Sequence, residues 1–267
     1  MRYAVAVLRK LRALLVAWYA YFLEYRAEVI LWSLSAMLPL ILMGVWTQAA
    51  EGGSFALSAQ EFARYFLCVF LVRQLTIIWV IWEFQDDVVL GRLSFKLLKP
   101  IDPVWDHLMQ HVAERLTRLP FGLIIVAVFL VIYPGARFVP EIEGVVLGLV
   151  ASVAAFLLRF LMQYTFAMLC FWTERGAAVE ELWFVAYLFL SGLIAPLSIF
   201  PEAVRNFALF TPFPYLVYFP AALFAGLPLP GGVGQGFMVL GLWFAIFWAI
   251  NRWLWRKGLK QFSGMGA

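Results

Sequence analysis

Charge is what this chain is short of. Asp, Glu, Lys and Arg make up 13% of its 267 residues, while 64% are apolar and 18% aromatic. An ordinary soluble domain carries roughly 25% charged residues, and a soluble fold of this length has too much surface to cover with half that share. Cysteine is nearly missing: Cys68 and Cys170 are the two, which excludes a secreted disulfide scaffold. Ser, Asn and Lys are scarce and aromatics abundant, a balance opposed to disorder. What remains is a polypeptide whose solvent is lipid, long enough for about six crossings of roughly 20 residues each. The fold class this predicts is all-α and integral to a membrane.

Catalytic signatures are missing as well. There is no H-E-x-x-H pattern for an intramembrane metalloprotease and no phosphate loop. The Gly231–Gly236 run lacks a following Lys-Ser/Thr and reads as a turn. The sixteen acidic residues fall in loops or at span ends, Glu24, Glu28, Glu51, Glu61, Glu83, Asp86 and Asp87 among them; Glu202, in a broken region, is the ambiguous one. A proton-coupled transporter needs a carboxylate within the membrane, so a proton relay is not expected. The net charge of +4 comes from clusters beside apolar runs, not from a basic stripe. Those clusters are topology signals, and no nucleic-acid partner is expected.

Along the chain, residues 2–26 are amphipathic. Leu8, Leu11, Leu15, Trp18 and Phe22 share one helical face, while Arg2, Arg9, Lys10, Arg12 and Glu24 gather on the other. Such a helix lies in the headgroup plane; the apolar stretch that follows is too long for a signal peptide. Crossings are expected over 29–48, 62–82, 116–133, 145–172, 182–199 and 237–253. A polar loop, Glu51-Gly52-Gly53-Ser54, divides the first two, and Thr173 to Glu181 follow the fourth. Seven of the 13 prolines crowd between Pro196 and Pro230 in otherwise apolar sequence. Proline removes a backbone donor, and broken helix at membrane depth needs shielding by protein or water. The stretch 192–230 therefore reads as a re-entrant pair.

With the N-terminus inside, 15 of the 20 Lys and Arg residues lie in inner segments, and Arg64, Arg137 and Arg205 in outer ones. Both termini are expected to be cytoplasmic. The remaining two, Arg73 and Arg159, sit inside spans, with Gln163 one turn beyond Arg159. Placing Arg near the membrane centre costs at least about 2.5–3.5 kcal/mol, so these residues face a subunit interface or a translocation path rather than lipid. His107 and His111 stand at i, i+4 near Asp106 and Glu114. That spacing allows either a metal site or an interfacial helix end with two half-buried imidazoles; no metal is assigned. The inner loop 83–109 holds the other strong feature, Gly91-Arg92-Leu93-Ser94-Phe95-Lys96-Leu97-Leu98-Lys99-Pro100-Ile101-Asp102-Pro103. Apolar residues set among charges on a cytoplasmic loop are built to touch headgroups or a soluble partner. With no energy source in the chain, that partner is expected to be a motor.

The order is now a basic interfacial helix, two spans, and an inner loop with Glu83, Gly91-x-Leu93 and Leu97-Leu98-Lys99-Pro100. Four spans follow, with Ser191-Gly192-Leu193-Ile194-Ala195-Pro196 before Phe200-Pro201 and Thr211-Pro212-Phe213-Pro214. Over essentially its whole length the chain resembles the membrane permease subunits of type-2 ABC exporters, in particular the bacterial branch of small six-span permeases. The resemblance implies a non-enzymatic subunit of the bacterial cytoplasmic (inner) membrane that binds membrane lipid and pairs with a second permease, identical or homologous. It implies docking of a cytoplasmic ABC ATPase, which alone binds ATP and magnesium, through Glu83, Gly91, Arg92, Leu93, Leu97, Leu98, Lys99 and Pro100. It implies an outer gate at Gly192, Pro196, Pro201, Pro212 and Pro214. Cargo would be a drug, a lipid or a lipid-linked glycan. The rival readings are a lipid-carrier transferase, with Asp86, Asp87, Asp102 and Asp106 holding a metal at the inner face, and an assembly subunit without transport of its own.

Overall fold

Strong helix formers and apolar residues alternate over most of the chain, and the structure, a computed structural model, answers with helix. It describes residues 2–53, 55–173, 175–176 and 178–262, the side chains of residues 2–4 excepted. Ser54, Glu174 and Ala177, expected in the polar loops, and the side chain of Arg2 lie outside the described residues. The helices are α1 (Arg2–Glu24), α2 (Arg26–Ser35), α3 (Leu38–Ala50), α4 (Ala59–Thr76), α5 (Val80–Val89), α6 (Arg92–Leu97), α7 (Pro103–Ile132), α8 (Ile142–Ala167), α9 (Ala178–Leu190), α10 (Glu202–Phe210), α11 (Tyr218–Ala225) and α12 (Gly232–Gln261). No strand occurs among the described residues.

Five stretches are long and apolar enough to cross a membrane: Arg26–Ala50, Ala59–Val89, Pro103–Ile132, Ile142–Phe171 and Gly232–Gln261. Each contains one expected crossing or nearly all of it. The expected fifth crossing is helical only over the 13 residues of α9, a rise of about 20 Å against a hydrocarbon core of about 30 Å. The loop expected over 83–109 is largely helical too. Its first residues belong to α5, and α7 begins at Pro103, where Asp102 caps it by accepting a hydrogen bond from Val104 N at 3.0 Å. Thirty residues give α7 a length of about 45 Å, enough to project well beyond the hydrocarbon.

Local breaks have physical causes. Pro39 stands in the first turn of α3, where no donor is needed. Between α4 and α5, Ile77 is extended, and the Leu75 carbonyl beside the break accepts a hydrogen bond from Arg115 Nε of α7 at 2.9 Å. At its other end α4 starts on a capping box, Ser58 with Glu61.

Helix α4 is the axis of the bundle, packed against α3, α7, α8 and α11. Its stretch is 78% buried, whereas those of α7 and α12 are 22% and 17% buried; α4 faces protein on all sides and the other two face outward. Phe62, Tyr65, Phe66 and Phe70 are fully enclosed. Leu123, Ile124, Val128, Val131 and Ile132 of α7, with Met238, Leu242 and Trp248 of α12, are exposed. Such surfaces suit a lipid solvent. Close packing of α8 on α11 depends on small residues: a Cβ on Gly144 would lie 2.8 Å from Leu223 O, and one on Gly148 2.8 Å from the Phe224 ring.

The proline-rich stretch folds as short pieces, single turns at 197–199 and 213–216 alternating with α10 and α11. Its backbone is satisfied by neighbours, as burial demands. Tyr65 Oη donates to Gly192 O at 2.6 Å, Trp46 Nε1 to Ile194 O at 2.8 Å, and Tyr218 N to Ser191 O at 3.0 Å. Gly192 has φ +85°, and a Cβ there would lie 2.6 Å from Tyr65 Oη. The end of α9 is built around a residue with no side chain.

Candidate functional site

Two features concentrate the chain's scarce polar groups. One is α6, entered through Gly91 at φ +70°, a left-handed turn that suits glycine. Leu93 is wholly buried in the cluster formed with Phe84, Phe160, Tyr164 and Phe171. On the opposite side Phe95 is 72% and Leu98 84% exposed, with Leu97 partly covered. A six-residue helix has no stability of its own, and ion pairs hold this one. Lys96 Nζ lies 2.6 Å from Asp87 Oδ2 and 3.4 Å from Asp106 Oδ2; Arg92 lies 3.5 Å from both Asp86 and Asp87. After α6, the Pro100 carbonyl accepts from Lys10 Nζ of α1 at 2.7 Å, and Trp18 Nε1 of α1 donates to Asp106 at 3.1 Å.

From Asp87 the charges continue inward along one face of α7. His107 Nε2 is 3.1 Å from Asp87 and its Nδ1 3.6 Å from Glu83. His111 sits between Glu83, at 3.3 Å, and Glu114, at 3.5 Å. Gln110 Nε2 donates to Glu83 at 2.9 Å. Arg118 Nη1 meets Glu114 at 2.8 Å and its Nη2 donates to Trp32 O of α2 at 3.1 Å. Arg115 donates to His111 O as well as Leu75 O, and lies 4.4 Å over the Phe156 ring. Buried charges persist only when paired, and every charged member of this run has an opposite charge within 4 Å, although several of their buried atoms, both His111 ring nitrogens included, make no hydrogen bond. Among the described residues no group of three or more His, Cys, Asp or Glu side chains is arranged to hold a metal. His107 instead engages Asp87, which is paired to Lys96, and His111 engages Glu114, which is paired to Arg118; both also reach Glu83, whose other partner is Gln110. Asp86, Asp87, Asp102 and Asp106 form no such group.

The second feature is a cavity of about 470 Å³ lined by both intramembrane arginines. Arg159, 4% exposed, donates from Nη1 to Tyr187 Oη at 3.1 Å and lies over the Tyr187 and Trp183 rings at 4.5 and 5.2 Å. Its Nε has no partner. The Arg73 side chain makes no hydrogen bond or ion pair among the described residues, and its Nε is buried without a partner. Trp32, Ile77, Ile78, Trp79, Trp82 and Phe184 supply apolar wall. Glu180 also lines the cavity, and accepts from Gln163 Nε2 at 2.8 Å. Exposed Glu181 stands at the rim.

The family described as ABC-2 family transporter protein matches residues 12–266. The chain belongs to it. A search of the curated proteins finds no match. This ABC-2 permease is thus a multi-pass membrane component of transport, and the five apolar helices agree with that.

Placed on the permease, the residues singled out from sequence separate into groups. Glu83 lies in the charge run, while Gly91, Arg92 and Leu93 anchor α6, Leu97 is partly covered on the Leu93 face and Leu98 is exposed. Lys99 is exposed beside Pro100. Arg73 and Arg159 share one cavity, with Gln163 behind them on Glu180. Gly192, Pro196, Pro212 and Pro214 are buried in the short-helix region and Pro201 is exposed. Sequence reasoning used Lys96, Arg115 and Arg118 only as inner-side charges and Asp87 only in the rival transferase's metal set. It left Asp106, His107, His111 and Glu114 as a metal alternative, and put Glu83, Asp87 and Asp106 in a loop. These side chains lie on α5, α6 and α7 and pair with one another. The spacing 107, 111, 114, 115, 118 is the signal that could have found them, a single face of one helix.

Proposed function

We propose that the chain is the permease subunit of an ATP-driven exporter, forming half of a translocation path with a second permease and docking a cytoplasmic ABC ATPase that holds ATP and magnesium. The chain crosses the bacterial inner membrane six times with both termini cytoplasmic, α1 lies at the interface, and the fifth crossing is completed by the segment after α9. The stretch 192–230 is the outer gate, and cargo is a drug, a lipid or a lipid-linked glycan. Family membership and the 15-to-3 split of Lys and Arg between inner and outer segments support this reading. The observation that carries it is α6: Leu93 buried and Arg92 and Lys96 ion-paired, Leu97 partly covered on the Leu93 face, and Phe95 and the capping Leu98 held outward. A short helix fixed by ion pairs while presenting large apolar side chains is a docking knob for a soluble protein.

In the mechanism, ATP-driven closure of the paired ATPases moves α6, the charge run passes that motion to α7 and α2, and the spans rock as rigid bodies. The test replaces Leu97 and Leu98 with Asp and measures ATPase co-purification together with transport. Loss of both is expected; undiminished docking removes the assignment.

A further inference from the structure

We propose that the cavity between α2, α4, α5, α8 and α9 binds the acidic headgroup of an amphiphile drawn from the membrane, with Arg73 and Arg159 gripping the phosphate or carboxylate and the Trp32, Trp79, Trp82 and Phe184 walls holding its apolar body. Resting on the permease reading, this names the chemistry of the cargo.

Three observations converge on it. First, the chain keeps two guanidinium groups inside membrane-spanning helices, and neither forms an ion pair among the described residues. Arg73 is without a hydrogen bond or ion pair among the described residues, and Arg159, 96% buried, leaves its Nε open. Arg115 and Arg118, by contrast, each have a carboxylate within ion-pair distance, although Arg115 Nη2 and Arg118 Nε are also without a hydrogen bond. Second, the buried carboxylate of the cavity offsets Arg159 only at a distance: Glu180 feels the Arg159 charge but takes its hydrogen bond from Gln163 and forms no ion pair with either arginine. Glu181 is exposed, where solvent screens it. A guanidinium fork in a low-dielectric wall matches a phosphate or carboxylate in shape as well as charge.

Third, the cavity is too large and too apolar for a free ion. About 470 Å³ falls in the range of sites that enclose drug-sized molecules. Trp32 and Trp82 are 49% and 41% exposed, so the mouth opens on the outside of the helix bundle. Indole rings at such a mouth sit naturally at headgroup level, and a ligand reaching the arginines past them keeps its hydrocarbon on an apolar path.

The test uses the purified full chain in neutral detergent, without ATPase. Phosphatidic acid, diacylglycerol with the same tails, or inorganic phosphate alone is added, and bound molecules are counted by native mass spectrometry. Phosphatidic acid should be retained in preference to both others. Arg73→Gln should weaken it about tenfold, the worth of one charge-assisted contact, and Arg73→Lys should restore most of the loss. Arg73 is the residue to change because its removal breaks no hydrogen bond or ion pair in the protein; an unshifted melting temperature checks that the variant folds. Equal retention of diacylglycerol, binding of inorganic phosphate as tight as that of phosphatidic acid, or undiminished binding by a folded Arg73→Gln overturns the proposal. Because no ATPase is present, such a failure leaves the docking of α6 standing, and loss of docking leaves the cavity standing.

Discussion

Replacing Asp87 with Asn should loosen α6 while leaving the bundle folded. Asp87 is 4% exposed and holds Lys96 at 2.6 Å, His107 at 3.1 Å and Arg92 at 3.5 Å. Arg92 is half exposed, so its share is small. The contacts to Lys96 and His107 are charge-assisted and buried, each worth about 1.5–3 kcal/mol. Asn keeps the size of the side chain and one acceptor oxygen, which retains a neutral hydrogen bond to Lys96; Lys96 also keeps Asp106 at 3.4 Å. The net loss is about 2–3 kcal/mol. At one factor of ten per 1.4 kcal/mol, the local opening constant of α6 rises about 30- to 140-fold. Hydrogen exchange read by mass spectrometry over residues 92–99 measures this directly, with α4 as the internal reference, since its stretch is the most enclosed of the five long enough to cross a membrane. Exchange over 92–99 within threefold of wild type would refute the claim that Asp87 holds the helix in place.

Two further substitutions probe the same scaffold. Arg118→Met removes the bond to Glu114 and the bond to Trp32 O and should cost about 3–5 kcal/mol. At about 2–4 °C per kcal/mol the melting temperature in detergent falls by roughly 6–20 °C. Glu114→Gln added to it should recover part of the loss by removing the stranded carboxylate. Gly192→Ala forces an L-residue into φ +85° and against Tyr65 Oη, costing at least about 1–2 kcal/mol; Tyr65→Phe in that background should relieve some of it, read by the same melting curves.

What could be read from the sequence follows the range of the forces involved. The runs 145–172 and 237–253 lie inside or nearly inside helices because a long apolar run in lipid has one way to satisfy its backbone. The ends of the crossings were harder. No proline or glycine marks the break at Ile77, where the Leu75 carbonyl is completed by Arg115, forty residues away. Likewise 182–199 reads as one apolar run, and its helix stops at Leu190 because Gly192 turns left-handed beneath Tyr65. Arg73 and Arg159 stood out as lone charges in apolar surroundings, yet their sharing one cavity depends on how α4 packs on α8. The stretch 83–109 misled most. Its charges suggest a solvated loop, whereas tertiary pairing of α5 with α7 buries Asp87, His107 and Glu114; charge density alone does not say whether a charge meets water or its opposite.

The two sites are joined through protein, and on the proposed function that joint would couple docking to cargo. Lys96 of α6 meets Asp87 of α5; His107 and His111 pass the contact through Glu83 to Glu114; Glu114 meets Arg118, which ends on Trp32 O. Beside it, Arg115 clasps the Leu75 carbonyl at the break between α4 and α5. Trp32 and Ile77, where these two branches arrive, are both wall residues of the arginine cavity. Buried ion pairs resist partial displacement, since separating one partner leaves a charge stranded in low dielectric. A run of them therefore resists internal distortion, and on the proposed function a shift of α6 by a docked ATPase would be delivered to the cavity wall rather than dissipated along the way. The helices are interrupted at 36–37 and 77–79. On the proposed function, that pair of joints is where the cavity widens or closes around its ligand.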